Sequence, residues 1–163
     1  MSNYKPYTQL SSFDLVLEAA SFLVIVASWV YLLLNFAAIP ETVPVHFNLQ
    51  GQADRFGSKN ELFLVQGIAT VLYAGLVVLA LFPQAHNMPI TLTEENKEAK
   101  WKLSAQFIRV VNLVVSSIFL SLTVTSVNNA LIGVEDQDPW PLFVLLGVLG
   151  VAIVIYWVKL AKK

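Results

Sequence analysis

The sequence contains no cysteine, and only 13% of its 163 residues are charged. The lack of cysteine excludes disulfide bonds, thiol catalysis and cysteine-ligated metal sites within this sequence. Ordinary soluble domains carry about 25% charged residues, so this composition is too apolar for a surface in water. Phosphate loops, dinucleotide fingerprints, nucleophile elbows, paired-histidine metal motifs and basic nucleic-acid patches are also missing. We therefore expect no enzymatic activity, no cofactor and no nucleic-acid partner.

The chain is rich in apolar residues, with 56% hydrophobic residues and a mean hydropathy of +0.66. Four windows are almost free of charge, and each is long enough, at roughly 20 residues, to cross a hydrocarbon core of about 30 Å. Short connections favour helices that alternate in direction. The prediction is an all-α membrane protein, a single four-span domain over residues 1–163 that forms an antiparallel four-helix bundle. The predicted spans are approximately residues 15–38, 62–82, 105–130 and 140–158.

Cations are distributed unequally between the connections, and lysine and arginine bias short loops toward the cytoplasm. A cytoplasmic N-terminus places only Arg55 and Lys59 outside and most of the cations inside: Lys5, Lys97, Lys100, Lys102, Arg109, Lys159, Lys162 and Lys163. The predicted location is a bacterial inner membrane, with both termini cytoplasmic. Asp14, Glu18 and Arg109 lie near the predicted inner surface, where we expect them to snorkel or to form an interfacial ion pair.

The connection between the first two spans, residues 39–61, is a polar block in an apolar chain. The run after its first proline favours an extended segment followed by a turn. Gly51 and Gly57 are expected in tight turns with positive φ. Ser58 and Glu61 have the spacing of a capping box at the start of the second span. The block is therefore predicted to be a folded outer loop rather than a linker.

This loop carries a specific order of residues, namely Pro40, Val43, Pro44, His46, Gly51, Asp54 and Lys59. The pattern resembles the N-terminal membrane domain of unknown function in the SdpI family, the immunity proteins against a sporulation-delaying peptide toxin. The resemblance implies a loop that recognises a membrane-active peptide, and in some members the capture of a repressor at the membrane. The present chain is shorter than those immunity proteins, and it has Phe47 where a tryptophan often follows the histidine.

His46 is the loop residue with the widest range of roles. A metal site needs three or four ligands, which this loop supplies poorly, so pairing with Asp54 or with a backbone carbonyl is favoured over zinc binding. Lys59 is expected to neutralise Asp54 or to bind a lipid phosphate. The residues predicted to bind a partner or ligand are Pro40, Pro44, His46, Asn48, Gly51, Asp54 and Lys59.

The third span is unusually polar, and it belongs to a segment without proline or glycine that predicts one long helix up to residue 130. Thr91 and Glu94 have capping-box spacing at its start, and residues 93–104 are predicted to form a helical extension in the cytoplasm. The polar face of the span either holds the helices together or lines a path for a small solute. The candidate path residues are Asn112, Ser116, Ser121 and Thr123.

Two functions remain open from these patterns. The leading hypothesis is a non-enzymatic membrane protein whose outer loop binds a protein or peptide, as an immunity-like, signalling or accessory component. The alternative is a small-solute transporter or channel subunit that uses the polar face of the third helix. Besides the lipid bilayer, the expected partners are a protein or peptide at the outer loop, a second copy of the chain or a larger membrane complex.

Overall fold

The computed structural model describes residues 6–7, 9–134 and 136–162, so Lys5 and Lys163 from the orientation argument lie outside the described residues. The main elements, in chain order, are four helices with a two-stranded sheet between the first two: α1 (Ser12–Asn35), β1 (Thr42–Phe47), β2 (Ala53–Ser58), α2 (Glu61–Leu81), α3 (Lys97–Ile132) and α4 (Trp140–Ala161). All four helices are long and apolar enough to cross a membrane. The predicted fold class is confirmed, with a small sheet added in the loop.

The third helix is the centre of the bundle. Helices α1, α2 and α4 each pack along α3, whereas α1 and α2 share a smaller contact and α4 packs chiefly on α3. Apolar residues on α4 therefore face outward almost everywhere. Gly147 and Gly150 on this helix have no neighbouring atoms within 4 Å of an added Cβ. The polar composition of α3 follows from its position, because it is the helix with most protein neighbours.

The start of α1 is fixed by a capping box that the sequence analysis missed. Ser11 is the N-cap residue, and its hydroxyl accepts from the backbone N–H of Asp14. In return the carboxylate of Asp14 accepts from the N–H of Ser11 at 2.8 Å. The carboxylate also lies at the positive end of the helix dipole.

The capping boxes predicted for α2 and α3 are wrong. Asn60 is the N-cap of α2 and makes no capping hydrogen bond through its side chain. Glu61 instead pairs with Arg55 of β2 at 3.0 Å. Helix α3 begins at Lys97 rather than near residue 93, because residues 93–96 form a separate turn in which the Asn96 side chain accepts from the N–H of Thr93.

The polar block folds as an antiparallel hairpin of β1 and β2, in which Thr42 pairs with Ser58 and Phe47 with Ala53. Only the first strand was expected from the sequence. Asn48 builds the turn, since its side-chain oxygen accepts from the N–H groups of Gln50 and Gln52. The hairpin rests on the bundle through a shared apolar core of Leu32, Ile39, Val43, Leu62, Val127 and Ala130.

The two glycines of the hairpin have different roles. Gly51 has a φ of 83° in the turn, as predicted. Gly57 does not have a positive φ, which corrects that expectation. It lies within β2, where an added Cβ would be 2.0 Å from Oε1 of Glu61. Glycine at residue 57 thus lets the side chain at the start of α2 pass close to the strand.

Candidate functional site

The tip of the hairpin is docked on the connection between α3 and α4. The N–H of Gln137 donates to the carbonyl oxygen of Gly51 at 2.6 Å. An added Cβ at Gly51 would lie 1.9 Å from the carbonyl oxygen of Gln137 and 3.2 Å from Cδ of Pro139. The two connections at this end of the bundle therefore touch at a position that admits glycine only. We call this end the hairpin end.

A cavity of 320 Å³ opens beneath the docked hairpin. Its walls come from the hairpin, from α2 and α3, and from the start of α4. Most of the lining is apolar, including Val45, Phe47, Leu49, Val65, Leu122, Pro139, Leu142, Phe143 and Leu146; the polar members are His46, Asn48, Ser126 and Gln137, with the backbone of Gly51. A concave apolar surface with a few polar groups is the usual form of a binding site.

One buried side-chain atom of the lining residues has no hydrogen-bond partner among the described residues. It is the side-chain oxygen Oε1 of Gln137, which is buried. A buried acceptor without a donor costs about 1–3 kcal/mol. This oxygen is covered by protein atoms, so it is not part of the open surface of the cavity.

His46 and Asp54 pair across the hairpin, with 2.5 Å between Nδ1 and Oδ1. Both are well exposed, at 64% and 45% of their side-chain surface, so the pair contributes about 0–1 kcal/mol to stability. Of the two structural roles considered for His46, pairing with the carboxylate is the one observed. Among the described residues, no group of three histidine, aspartate or glutamate side chains is placed to hold a metal ion.

Lys59 has a different partner from the one predicted. Its amine pairs with Glu41 at 2.9 Å, donates to the carbonyl oxygen of Ile39 at 3.2 Å and lies 5.0 Å from the ring centre of Phe36. Only 13% of its side chain is exposed. The proposed pairing with Asp54 is wrong. Lys59 fastens the hairpin to the segment after α1 and is largely covered.

The remaining loop residues of the predicted site differ in burial and in their distance from the cavity. Pro44 is buried in β1, and Pro40 is exposed just before it. Asn48 uses its side chain to close the turn. The structure therefore brings His46, Asn48 and Gly51 to the rim of the cavity, and leaves Pro40, Asp54 and Lys59 outside its lining.

A polar seam runs inside the bundle, and three of the four predicted path residues belong to it. Asn112, Ser116 and Thr123 are buried on the inward side of α3, whereas Ser121 is half-buried and off this row. Near the hairpin end, Gln66 of α2 accepts from Ser28 of α1 at 2.9 Å and from Thr123 at 3.1 Å. The sequence analysis missed Ser28 and Gln66, although each is an isolated polar residue in an apolar span.

The middle of the seam is incompletely paired. The amide nitrogen of Asn112 donates to the carbonyl oxygen of Tyr73 at 3.3 Å. The side-chain oxygens of Asn112 and Ser116 are buried without a partner among the described residues. The side-chain nitrogen Nε2 of Gln66 is likewise buried without a partner among these residues, whereas its oxygen accepts two hydrogen bonds.

The far end of the seam is an ionic group, so the expected ion pair is observed, but Arg109 and Asp14 are buried instead of snorkelling to water. Arg109 of α3 and Asp14 of α1 have 2% and 1% of their side chains exposed. The Nε of Arg109 donates to Glu18 at 2.7 Å, and Nη1 lies 3.9 Å from the nearer oxygen of Asp14. A buried ionisable group is costly unless it is paired with an opposite charge. The sequence signal was the i,i+4 spacing of the two acidic residues on one face of α1.

Tyr7 lies beside this ionic group, before the first helix. Its backbone N–H donates to the carbonyl oxygen of Leu81 at 2.7 Å. Burial raises the pKa of the Tyr7 phenol, and the negative charges of Glu98 and Asp14 raise it further. Tyr7 is therefore held against the end of α2.

Residues 23–70 match a family described as a domain of unknown function, DUF1648. An uncharacterized protein from Archaeoglobus fulgidus is 29% identical over 109 residues. The match covers 58% of this chain and 59% of that relative, so the chain spans well under two thirds of its length. No solved structure matches. The matched residues hold the second half of α1, the whole hairpin and the first half of α2. The chain is thus a multi-pass membrane protein with a partial match to a domain of unknown function.

Proposed function

We propose that this protein is a non-enzymatic plasma-membrane protein that binds a peptide or a protein segment at its hairpin end. The single observation that carries the proposal is the 320 Å³ cavity under the docked hairpin. The cavity is concave, mostly apolar, and held open by the contact between Gly51 and Gln137. It is large enough for one or two apolar side chains of a ligand.

The surroundings of the cavity favour a peptide over a purely apolar ligand. Leu49 at the tip of the hairpin has 80% of its surface exposed, and the polar residues His46 and Asn48 are part of the lining. A peptide supplies both a side chain for the apolar wall and backbone polar groups for these two residues. Within the described part of the chain, each strand of the hairpin also has one edge without a partner strand, and extended peptides bind at such edges.

The orientation of the protein follows from charge rather than from coordinates. Of its ten lysines and arginines, Arg55 and Lys59 lie at the hairpin end. The others that the structure describes lie toward the opposite end, namely Lys97, Lys100, Lys102, Arg109, Lys159 and Lys162. The proposal therefore places the hairpin outside the cytoplasm and both termini inside. In this orientation the cavity faces a ligand that arrives from outside the cell or within the outer leaflet.

The resemblance to the SdpI family is consistent with this ligand class. Its members with known roles resist a membrane-active peptide, and such a peptide has the amphipathic chemistry that the cavity requires. We propose an immunity-like, signalling or accessory role on this basis. The resemblance and the matched family region both centre on the hairpin.

A photo-crosslinking experiment tests the proposal. A photoreactive amino acid at Leu49, beside the cavity, is compared with the same amino acid at Val151, which faces outward on α4 with 60% exposure. Purification from native membranes is followed by mass spectrometry. We expect one dominant peptide or protein adduct at residue 49 and only lipid adducts at residue 151.

A cavity-filling variant makes the test specific. Leu142→Trp adds volume in the cavity wall, and Val148→Trp, on the outward face of the same helix, is the matched control. The adduct should disappear in the first and persist in the second. Absence of any adduct specific to residue 49, in membranes from cells grown with and without competing strains, contradicts the proposal.

Transport of a small solute is the second candidate. The observation that favours it is the pair of buried oxygens on Asn112 and Ser116, in the middle of the seam, for which the described residues supply no partner. Flux measured in vesicles should fall in Asn112→Leu and Ser116→Ala if this candidate is right, and should be unaffected by Leu142→Trp. A partner adduct that is unchanged in both seam variants favours the peptide proposal instead.

A further inference from the structure

A second hollow lies at the opposite end of the bundle, where α1 begins and α4 ends. It is a groove of 230 Å³ between α3 and α4, with Phe13 of α1 at its edge. The side chain of Phe13 is 56% exposed there. Two polar residues, Gln106 on α3 and Lys159 on α4, are part of an otherwise apolar lining.

The wall of the groove is formed by two stacked rings. Phe107 and Tyr156 have ring centres 4.2 Å apart and planes 13° from parallel. Ala152 lines the groove further into the bundle, seven residues from Lys159, which corresponds to about 10 Å along a helix. The groove is thus an apolar channel with a cation at its outer end.

Lys159 is available to an external ligand. Within the described part of the chain, its amine makes no ion pair and no hydrogen bond, in contrast to Lys97, which pairs with Glu94. Lys159 lies in the last turn of α4, and the C-terminal end of a helix carries a partial negative charge that would oppose binding of an anion. Here Lys100 covers that end, because its amine donates to the carbonyl oxygens of Leu160 and Lys162 at 2.8 and 2.6 Å.

We propose that this groove binds one anionic phospholipid. An acyl chain occupies the channel along Phe107 and Tyr156, and the phosphate accepts a hydrogen bond from the amine of Lys159. The amide of Gln106, whose contact with Ser11 is long at 3.5 Å, donates to an ester or phosphate oxygen. Charge complementarity selects the occupant, since an apolar groove with an unpaired lysine at the membrane surface fits an anionic lipid better than a zwitterionic one.

Native mass spectrometry of the purified full chain tests this proposal. Phosphatidylglycerol and phosphatidylcholine with the same acyl chains are the probes. We expect the wild type to retain the first over the second by about fivefold, the ratio expected for one lysine near an anionic surface. Lys159→Gln should remove the preference, and Lys159→Arg should keep it.

Two further variants separate a built site from general lipid binding. Lys102→Gln removes an exposed cation of α3 that does not line the groove, and it should leave the preference intact. Ala152→Phe fills the channel and should lower retention of both lipids. Equal retention of the two lipids by the wild type, or the same loss in Lys102→Gln as in Lys159→Gln, overturns the proposal. Circular dichroism and size-exclusion profiles establish that each compared variant is folded.

Discussion

The carbonyl oxygen of Gly51 accepts a hydrogen bond of 2.6 Å from the N–H of Gln137, although the two residues belong to different connections of the bundle. This bond joins the hairpin to the segment between α3 and α4. It closes one side of the proposed peptide cavity, and the absence of a side chain at residue 51 is what allows the two backbones to meet. The contact therefore links the geometry of the cavity to the identity of one glycine.

Gly51→Ala should destabilise the protein by about 2–3 kcal/mol. A left-handed backbone costs a non-glycine residue about 1–2 kcal/mol, and the new Cβ would also meet the oxygen of Gln137. Gly133→Ala is the matched control, because Gly133 has a φ of 70° but open space around it. Thermal unfolding in detergent should show a smaller loss for the control. Equal losses in the two variants would mean that the docking contact contributes nothing.

Lys59→Met should cost more stability than His46→Ala. Lys59 is largely buried and contacts three groups, so we expect a loss of about 1.5–3 kcal/mol. His46 is exposed, so its loss should be about 0–1 kcal/mol. Unfolding of both variants in mixed micelles provides the comparison. The opposite order of stabilities would show that the exposed pair with Asp54, rather than the lysine, holds the hairpin in place.

Arg109→Met should be among the most damaging single changes, at about 3–5 kcal/mol, because it leaves Asp14 and Glu18 without their cation inside the bundle. The triple variant Arg109→Met, Asp14→Asn and Glu18→Gln should recover much of the lost stability. Arg55→Gln is the control, since Arg55 is exposed in its pair with Glu61. A loss of under about 1 kcal/mol for Arg109→Met would contradict the buried ionic group.

Gln66→Leu and Ser28→Ala should be coupled in a double-mutant cycle. Interhelical hydrogen bonds in membranes average about 0.6 kcal/mol in such cycles, and the bond between these side chains is 2.9 Å long. Ser21 is the control position, because its hydroxyl donates to Leu17 within its own helix. No coupling is expected between Gln66→Leu and Ser21→Ala. Equal coupling energies in the two cycles would mean that the coupling does not come from the hydrogen bond between Ser28 and Gln66.

The sequence was sufficient for the fold class because helices that cross a bilayer need long uncharged runs, and four such runs are present. It was also sufficient for the inward face of α3, where Asn112, Ser116 and Thr123 recur on one side. The second strand of the hairpin could not be predicted in this way. Its sequence, Ala53–Ser58, has no alternation of apolar and polar residues, and its pairing is imposed by the turn and by β1.

The burial of the charged residues was not predicted, for a related physical reason, although their ion pair was. Position along the chain puts Asp14, Glu18 and Arg109 near a membrane surface, and a side chain there usually reaches water. Their burial depends on how α1 packs on α3, which sequence periodicity does not determine. Lys59 was misassigned similarly, because its partner Glu41 lies across the hairpin rather than near it in sequence.

The hydrogen bonds around Gln66 have a consequence for how the chain is made. Ser28 and Gln66 lie within residues 23–70, the segment shared with other proteins, but Thr123 is separated from Gln66 by 57 positions. When the ribosome has delivered only the first two spans, this group lacks its third member. The shared segment therefore does not form all of its buried hydrogen bonds by itself. The bond from Thr123 to Gln66 forms only when the third helix is inserted beside it.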